Sequence, residues 1–381
     1  MRRKMLVLAL ALAGLAQTAL AIPAFARKYG YSCEVCHAPI PHLKAFGEEF
    51  AGNGYRIPDK EPPRATVDTG DPLLLLMRDL PLAFRIDTAF AYESEASAKP
   101  DLRTPFVVKI LSGGTIAPSV SYYAYFLMTE DSKVVGLEDA FLSFRDVFGL
   151  PLSVVVGQYS VADPIKPSEV RLTFEGYRIF KFGVGESRIR LSYDRGIMAS
   201  LGLESGTEFM LQVVNGNGID AEEIFDTDKY KNIVWRVAQT AAKGRVRVGL
   251  LGYHGKEEGR GTTNTVTYLG PDLRLGFPKL TLSAGYLRRT DSNPFFASKG
   301  EECKTDAFLG EAIYAPQGEK GRLFFVLAYN LIRSDLAEVD YNRATFNASY
   351  LLRRNLKWMS EYTRDLDGEA HRFLTGFVVG F

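Results

Sequence analysis

The stretch LAFRIDTAFAYE, residues 82–93, alternates along its whole length between two kinds of side chain. One face carries large apolar or hydroxyl-bearing residues, namely Leu82, Phe84, Ile86, Thr88, Phe90 and Tyr92. The other face carries small and charged residues, namely Ala83, Arg85, Asp87, Ala89, Ala91 and Glu93. A strand between lipid and a wet lumen requires this pattern, whereas a soluble sandwich would turn its apolar face inward. The stretch predicts a strand of a membrane β-barrel.

The same alternation recurs to the end of the chain. The predicted strands lie near 80–92, 104–112, 118–129, 136–146, 150–159, 196–203, 207–214, 232–242, 245–254, 263–274, 279–290, 306–315, 321–333, 341–353, 356–365 and 371–381. They make a barrel of about sixteen strands. The segment 169–194 is either a further hairpin, which would give eighteen strands, or a loop folded over or into the lumen. Both counts are even, as a closed bacterial barrel requires.

The connections between these strands alternate in length. Short ones fall at 147–149, 204–206, 242–244 and 354–355, and longer polar ones at 93–103, 215–231, 255–262 and 291–305. Outer-membrane barrels have short periplasmic turns and long outer loops. The last strand alternates up to a terminal Phe381, as outer-membrane proteins typically do, which predicts the outer membrane as the location.

The N-terminus carries an export signal. Three basic residues at 2–4 precede the apolar run Met5–Leu20, and small residues mark possible cleavage sites at 19–21 and 24–26. Residues 1–21 are predicted to be a signal peptide. The alternative is an uncleaved anchor, but the run is shorter than the roughly 20 residues that a spanning helix needs.

Composition excludes one class of partner. The 381 residues include 46 basic and 45 acidic side chains, and a net charge of +1 gives no support to nucleic-acid binding. The counts of 35 glycines, 19 tyrosines and 25 phenylalanines against 3 cysteines suit an exported all-β protein.

The motif CEVCH, residues 33–37, carries the chemistry. Cys33 and Cys36 have the spacing for thioether bonds to the two vinyl groups of a haem, and the adjacent His37 can ligate its iron. A zinc site would need a second ligand pair, but the third cysteine, Cys303, stands alone. A redox dithiol would need a βαβ context that is absent. The motif predicts one covalent c-type haem with His37 as the proximal ligand.

Residues 22–60 are predicted to form a small haem-holding segment. The spacing of Leu43, Phe46, Gly47 and Phe50 predicts a short helix that ends at Gly52 and Gly54. Phe46 and Phe50 would cover the macrocycle, and Gly47 would allow close approach. A proline-rich linker, 61–79, then leads to the barrel at 80–381.

The distal haem ligand has three candidates. Met77 lies beyond a linker that gives it reach, and a thioether ligand would raise the potential. His42 is only five residues from His37, which hardly lets it reach the opposite face of the iron. The third candidate is an open position. The sequence favours Met77 as the distal ligand, with His42 second.

A family resemblance follows from these motifs. The runs at 25–30, 33–37, 43–47 and 53–55, followed by a porin-like barrel, resemble the outer-membrane monohaem cytochrome-porin fusions of iron-oxidising bacteria. The resemblance implies that extracellular iron(II), or another reductant, is the electron donor and that a periplasmic c-type cytochrome is the acceptor. Because lipid cannot carry electrons across an apolar band about 25 Å tall, we expect the haem segment on the periplasmic side or inside the lumen.

The predicted function is electron transfer across the outer membrane through a single haem, which would make the chain an electron-transfer protein or an iron(II):cytochrome c oxidoreductase. No catalytic side chain is predicted, because the redox chemistry belongs to the haem. The alternative is a solute porin with a structural or sensory haem plug. An oxidoreductase needs a haem edge reachable by donor and acceptor, whereas a porin needs an open lumen.

Overall fold

The computed structural model describes residues 24–57, 60, 66–71, 73–74, 76–78, 80–96, 100–131, 133–219 and 225–381. The predicted signal peptide, 1–21, lies outside the described residues, as do 61–65, 72, 75 and 79 of the predicted linker. Two helices come first, α1 (Ala24–Tyr29) and α2 (Ala45–Gly52). Among the described residues, no helix is long and apolar enough to cross a membrane.

A closed antiparallel barrel of sixteen strands forms the body of the molecule. A small ribbon of β1 (Thr66–Val67) and β2 (Leu76–Met77) precedes it. The barrel strands are β3 (Leu82–Glu93), β4 (Asp101–Ala117), β5 (Val120–Glu130), β6 (Gly136–Phe144), β7 (Leu152–Ser160), β8 (Tyr193–Gly202), β9 (Thr207–Val214), β10 (Asn232–Ala241), β11 (Val246–Gly259), β12 (Thr262–Gly276), β13 (Leu280–Asp291), β14 (Cys303–Tyr314), β15 (Leu323–Ser334), β16 (Tyr341–Arg353), β17 (Leu356–Asp365) and β18 (His371–Gly380). The predicted fold class and the count of sixteen are confirmed.

The barrel closes where the last strand meets the first. Strand β18 pairs with β3, and the backbones of Phe84 and Phe381 exchange two hydrogen bonds, of 2.6 and 2.8 Å. Their rings stack with centroids 5.8 Å apart. Closure leaves no edge strand, so every strand finds hydrogen-bond partners on both sides, as a strand in lipid must.

The two faces predicted for residues 82–93 are the two faces of the barrel wall. Phe84, Phe90 and Tyr92 are exposed on the outside, whereas Asp87 and Ala91 are buried inside, each 1 % exposed. The apolar outward side chains form the surface that lipid covers.

Two ion pairs neutralise charged side chains inside the wall. Arg85 donates two hydrogen bonds, of 2.8 and 2.7 Å, to the Asp87 carboxylate, and Arg236 lies 2.7 Å from Asp272. A buried charge without a partner is strongly destabilising, so this pairing is expected in a filled lumen.

One predicted loop is wrong. Residues 255–262 are not a loop, because β11 and β12 continue through them and meet at the two-residue turn Arg260–Gly261. Their polar side chains indicate a hairpin that continues above the lipid, where both faces of a strand meet water.

Residues 161–192 form one long loop inside the lumen, which we call the inner loop. It connects β7 to β8 and contains no barrel strand, so the eighteen-strand alternative is excluded. The Glu361 carboxylate of β17 accepts hydrogen bonds from the amides of Phe174 and Glu175, of 2.6 and 2.9 Å. Lys166 donates to Glu311 of β14 at 2.5 Å. The inner loop therefore crosses from β7 and β8 to the opposite wall.

The inner loop carries an apolar core into the lumen. Its buried members include Ile179, Phe182, Val184, Ile189 and Leu191. They form one cluster with wall residues of β10 to β13, namely Val234, Leu251, Tyr253, Val266, Tyr268 and Leu287. Burying a large apolar side chain contributes about 1.5–3 kcal/mol each, so this contact holds the loop firmly and keeps water out of that part of the lumen.

Candidate functional site

A single helical turn arranges the residues of the CEVCH motif. The Ser32 hydroxyl caps the turn by accepting from the Glu34 amide, and the Cys33 carbonyl accepts from the amides of Cys36 and His37, at 3.3 and 2.9 Å. Residues three and four apart lie on the same side of a helical turn. The turn therefore presents both thiols and the imidazole on one side.

The orientation of His37 is set by a backbone oxygen. Its Nδ1 lies 2.6 Å from the Pro41 carbonyl oxygen, which can only accept, so Nδ1 is the donor. Burial lowers the pKa of His37, which favours the neutral ring, although the hydrogen bond acts in the opposite direction. In a neutral ring protonated at Nδ1, the Nε2 lone pair is free for a metal. A hydrogen bond from the other ring nitrogen to a backbone carbonyl is typical of a metal-ligating histidine.

The two thiols are free and do not resemble those of a redox dithiol. Burial raises the pKa of both Cys33 and Cys36. Disulfide oxidoreductases instead lower a thiol pKa to obtain a reactive thiolate. No group of three or more metal-binding side chains occurs among the described residues, so these thiols are not half of a larger metal cluster.

Helix α2 packs directly on this turn. The Lys44 amide donates to the Cys36 carbonyl at 2.8 Å, and a Cβ added to Gly47 would overlap that carbonyl oxygen. Gly47 therefore permits close approach, as expected, but to the motif backbone. Phe50 is buried and lines the cavity described below, whereas Phe46 is 36 % exposed and does not line it, so the arrangement gives no support to Phe46 as a cover.

Ion pairs fix residues 24–57, the N-terminal unit, to the end of the barrel with the short turns. Glu34 pairs with Arg354 in the turn between β16 and β17, and Glu48 pairs with Arg274 near the end of β12. Lys44 lies 2.7 Å from a Glu319 oxygen in the turn between β14 and β15. These contacts hold the unit against the part of the rim formed by β12 to β17.

A stack of aromatic rings attaches the N-terminal unit to another part of the wall, at β5. Tyr55 is sandwiched between Phe25 of α1 and Tyr123 of β5, with centroids 5.0 and 5.1 Å apart. Phe50 meets Phe25 edge-on at 5.1 Å. Such pairs contribute about 0.5–1.5 kcal/mol each beyond area burial. Tyr55 thereby joins both helices to the barrel wall.

A cavity of about 1180 Å³ lies between the N-terminal unit, the inner loop and the wall. Cys33, Cys36 and His37 line it, together with Phe50. Ligand pockets that enclose drug-sized molecules measure about 300–1,000 Å³, so the space suffices for a macrocycle. The thiols, the free imidazole nitrogen and the cavity together fit a covalently attached haem.

The structure does not bring Met77 to this cavity. A Cβ added to Gly114 of β4 would lie 3.5 Å from the Met77 sulfur, whereas one added to the neighbouring Gly113 would lie 3.0 Å from Tyr123 and 3.3 Å from Phe25, on the lumen side. Met77 thus lies on the outer side of the wall, across from His37, and the arrangement gives no support to it as a ligand.

Besides His37, three described histidine or methionine side chains line the cavity: His42, Met198 and Met210. Burial and the nearby positive charge of Lys166 lower the pKa of His42 to about 4, so its ring is neutral. Met198 and Met210 were missed from sequence. The inward positions of the alternation in β8 and β9 could have revealed them, but only closure of the barrel places those strands around the motif.

Comparisons with known proteins concern the barrel. No protein-family model matches the chain, and no curated protein matches it. Among solved structures, the anion-selective porin from Comamonas acidovorans superposes with a TM-score of 0.57 at 12 % identity, covering 80 % of this chain and 99 % of that one. The fold is that of outer-membrane channels.

Two further solved structures have a similar fold. OmpF of Salmonella typhi, in complex with daunomycin, gives a TM-score of 0.59 at 13 % identity, over 79 % of this chain and 97 % of that one. The channel DcaP of Acinetobacter baumannii gives 0.57 at 14 % identity, over 80 % and 97 %. Likeness at this identity is a likeness of fold, and it supports location in the outer membrane.

We expect Gly47→Ala to loosen the contact between α2 and the motif turn. The new methyl group meets backbone on one side and Leu43 on the other, so the helix must shift. Overpacking of this kind typically costs about 1–3 kcal/mol. The variant should melt earlier in thermal unfolding and incorporate less haem, measured as Soret absorbance per protein.

Gly52→Ala is the matched control, because nothing lies within 4 Å of a Cβ at that position in the same helix. Alanine there should be neutral or slightly stabilising through its helix propensity. Equal melting temperatures and equal haem content for the two variants would contradict the prediction.

Proposed function

We propose that this chain is an electron-transfer protein of the outer membrane, with one c-type haem bound at Cys33 and Cys36 and ligated by His37. The observation that supports it best is the helical turn that places two thiols and the His37 ring at one cavity, with Nδ1 hydrogen-bonded to the Pro41 carbonyl. This arrangement adds support to the motif match, because thioether attachment and iron ligation need two thiols and an imidazole close together.

The chain's own residues have separate tasks in this proposal. The thiols of Cys33 and Cys36 hold the macrocycle through thioether bonds. The Pro41 carbonyl keeps the His37 ring in one tautomer and raises the basicity of its free nitrogen. The haem, when bound, supplies the one-electron chemistry. The ion pairs of Glu34 and Glu48 hold the unit at the periplasmic opening.

The proposed reaction moves one electron. It leaves extracellular iron(II), which becomes iron(III), and arrives at the ferric iron of a periplasmic c-type cytochrome, which becomes ferrous. An apolar band about 25 Å tall separates the two sides, and the barrel gives the redox site a place within it. The short-turn end, where the N-terminal unit lies, is the periplasmic end of such barrels, so the acceptor docks there.

The inner loop and the N-terminal unit obstruct part of the lumen, which favours this function over free solute passage. The inner loop crosses the lumen with a buried apolar core, and the N-terminal unit occupies the opening. A general porin has a water-filled polar channel. Electron transfer needs no continuous water path, but it requires the donor to come close to the haem edge.

The comparisons favour a second function. The similar structures include an anion-selective porin and an outer-membrane channel. A solute porin whose N-terminal unit is a structural or sensory haem plug would use the same fold, with the cavity as its solute path.

The two functions are separated with proteoliposomes that contain the haem-loaded protein and a trapped, oxidised soluble c-type cytochrome. Iron(II) added outside under anaerobic conditions should reduce first the protein and then the trapped cytochrome, followed as their reduced α-bands. Liposomes with the Cys33→Ala/Cys36→Ala protein should show neither change. If the haem stays oxidised while the wild-type protein conducts ions in a planar bilayer, the porin function replaces the conduit.

A further inference from the structure

Lys357 stands apart from the other cations of the lumen. It lies at the start of β17, beside the short turn whose Arg354 pairs with Glu34. Its side chain is buried, at 4 % exposure, and its amine has no hydrogen-bond partner among the described residues. It lines the same cavity as Cys33 and His37. An unpaired buried amine costs stability unless a ligand satisfies it.

The carboxylates near Lys357 are already engaged. Asp87 accepts two hydrogen bonds from Arg85, and Glu361 accepts two from amides of the inner loop. Both carboxylates interact with Lys357 only at longer range. Arg85, which also lines the cavity, adds a further positive charge near Lys357.

Other lysines that line the cavity are paired. Lys109 lies 2.5 Å from Glu169, and Lys166 lies 2.5 Å from Glu311. Among the described lysines that line the cavity, Lys357 is therefore the one buried amine without an anion as partner. A buried ammonium group of this kind would bind a carboxylate, or a similar anion, that belongs to a ligand.

We propose that Lys357 binds a carboxylate of the haem, one of its two propionates. This inference rests on the proposed haem function. In haem the two vinyl groups and the two propionates lie on opposite edges of the macrocycle, so a haem held at Cys33 and Cys36 would direct its carboxylates away from those thiols, into the cavity that Lys357 also lines. A free anion in the lumen would offer Lys357 the same chemistry, and the test separates the two sources.

The test compares Lys357→Met in haem-loaded and haem-free full-length barrels, the latter carrying Cys33→Ala and Cys36→Ala. Without haem, methionine removes an unpaired buried amine and should raise the temperature at which the folded band disappears on a heat-modifiability gel. With haem, it removes the partner of a propionate and should lower that temperature. The sign of the effect therefore reverses between the two forms.

A second readout is the midpoint potential, measured by spectroelectrochemical titration. Loss of a positive charge beside a propionate favours the ferric state, so the potential of Lys357→Met should fall below that of wild type. Lys243→Met is the control, because this lysine is exposed in a short turn at the same end of the barrel. It should leave both the potential and the gel temperature unchanged.

The outcomes are distinct. A wild-type protein that attaches no haem overturns the proposed function as well as this inference. A haem-loaded Lys357→Met with unchanged potential and a stability gain in both forms overturns the inference alone. In a third outcome, succinate stabilises the haem-free barrel, Lys357→Met abolishes that stabilisation, and the sign of the effect does not reverse on haem loading. The amine then binds a free anion, which also overturns the inference.

Discussion

Loss of both thiols, in Cys33→Ala/Cys36→Ala, is expected to remove all covalently bound haem while leaving the barrel assembled. The two residues lie on one helical turn beside the cavity, and no other described cysteine lies near them. On a denaturing gel the haem-dependent peroxidase stain should vanish. The folded form, recognised by its faster migration before heating, should persist, because the strands pair independently of the motif.

The single variants refine this prediction. Cys33→Ala or Cys36→Ala alone leaves one thiol, so any haem that attaches keeps one unsaturated vinyl group. Its pyridine haemochrome spectrum should move to longer wavelength than that of the wild type.

Cys303→Ala is the matched control for attachment. Cys303 is buried at the start of β14, 3.7 Å from the Ser334 hydroxyl, and does not line the cavity. It should retain full staining. Persistent stain in the double variant, or equal loss in the control, would disprove the assignment of the two thiols.

Arg289→Met is expected to release the inner loop. Arg289 of β13 is fully buried and donates to the Asp291 carboxylate at 2.6 and 2.7 Å. It also donates to the Ile189 carbonyl at 2.8 Å and the Ser187 hydroxyl at 2.7 Å, both on the inner loop. Removing one partner of a buried ion pair costs about 3–5 kcal/mol, because the other charge remains buried. The variant should melt earlier and conduct more ions in a planar bilayer.

The neighbouring Arg288 supplies the control. It lies on the outer face, more than half exposed, where it pairs with Asp306. Exposed ion pairs contribute about 0–1 kcal/mol, so Arg288→Met should change little. The double variant Arg289→Met/Asp291→Leu should recover part of the lost stability, since no unpaired charge remains. Equal effects of the two single arginine variants would show that the loop is not anchored as described.

The sequence by itself determined the barrel. A period of two is visible within each strand, because lipid and lumen select opposite residue types on alternate positions. This is why the strand count, the closing strand up to Phe381 and the two faces of residues 82–93 could all be predicted. The spacing of Cys33, Cys36 and His37 is equally local, since one helical turn brings them together.

Only the tertiary structure decided where the inner loop lies and which side chains share the cavity. Residues 161–192 have no strand period, and their partners Glu311, Glu361 and Arg289 are spread over three distant strands. The choice of Met77 from sequence rested on the reach of its linker. The length of the linker does not determine on which side of the barrel wall Met77 lies. That depends on how the strand ends pack against the barrel rim. His42, Met198, Met210 and Lys357 line one cavity because the closed barrel brings distant inward positions together, and no local pattern records such a meeting.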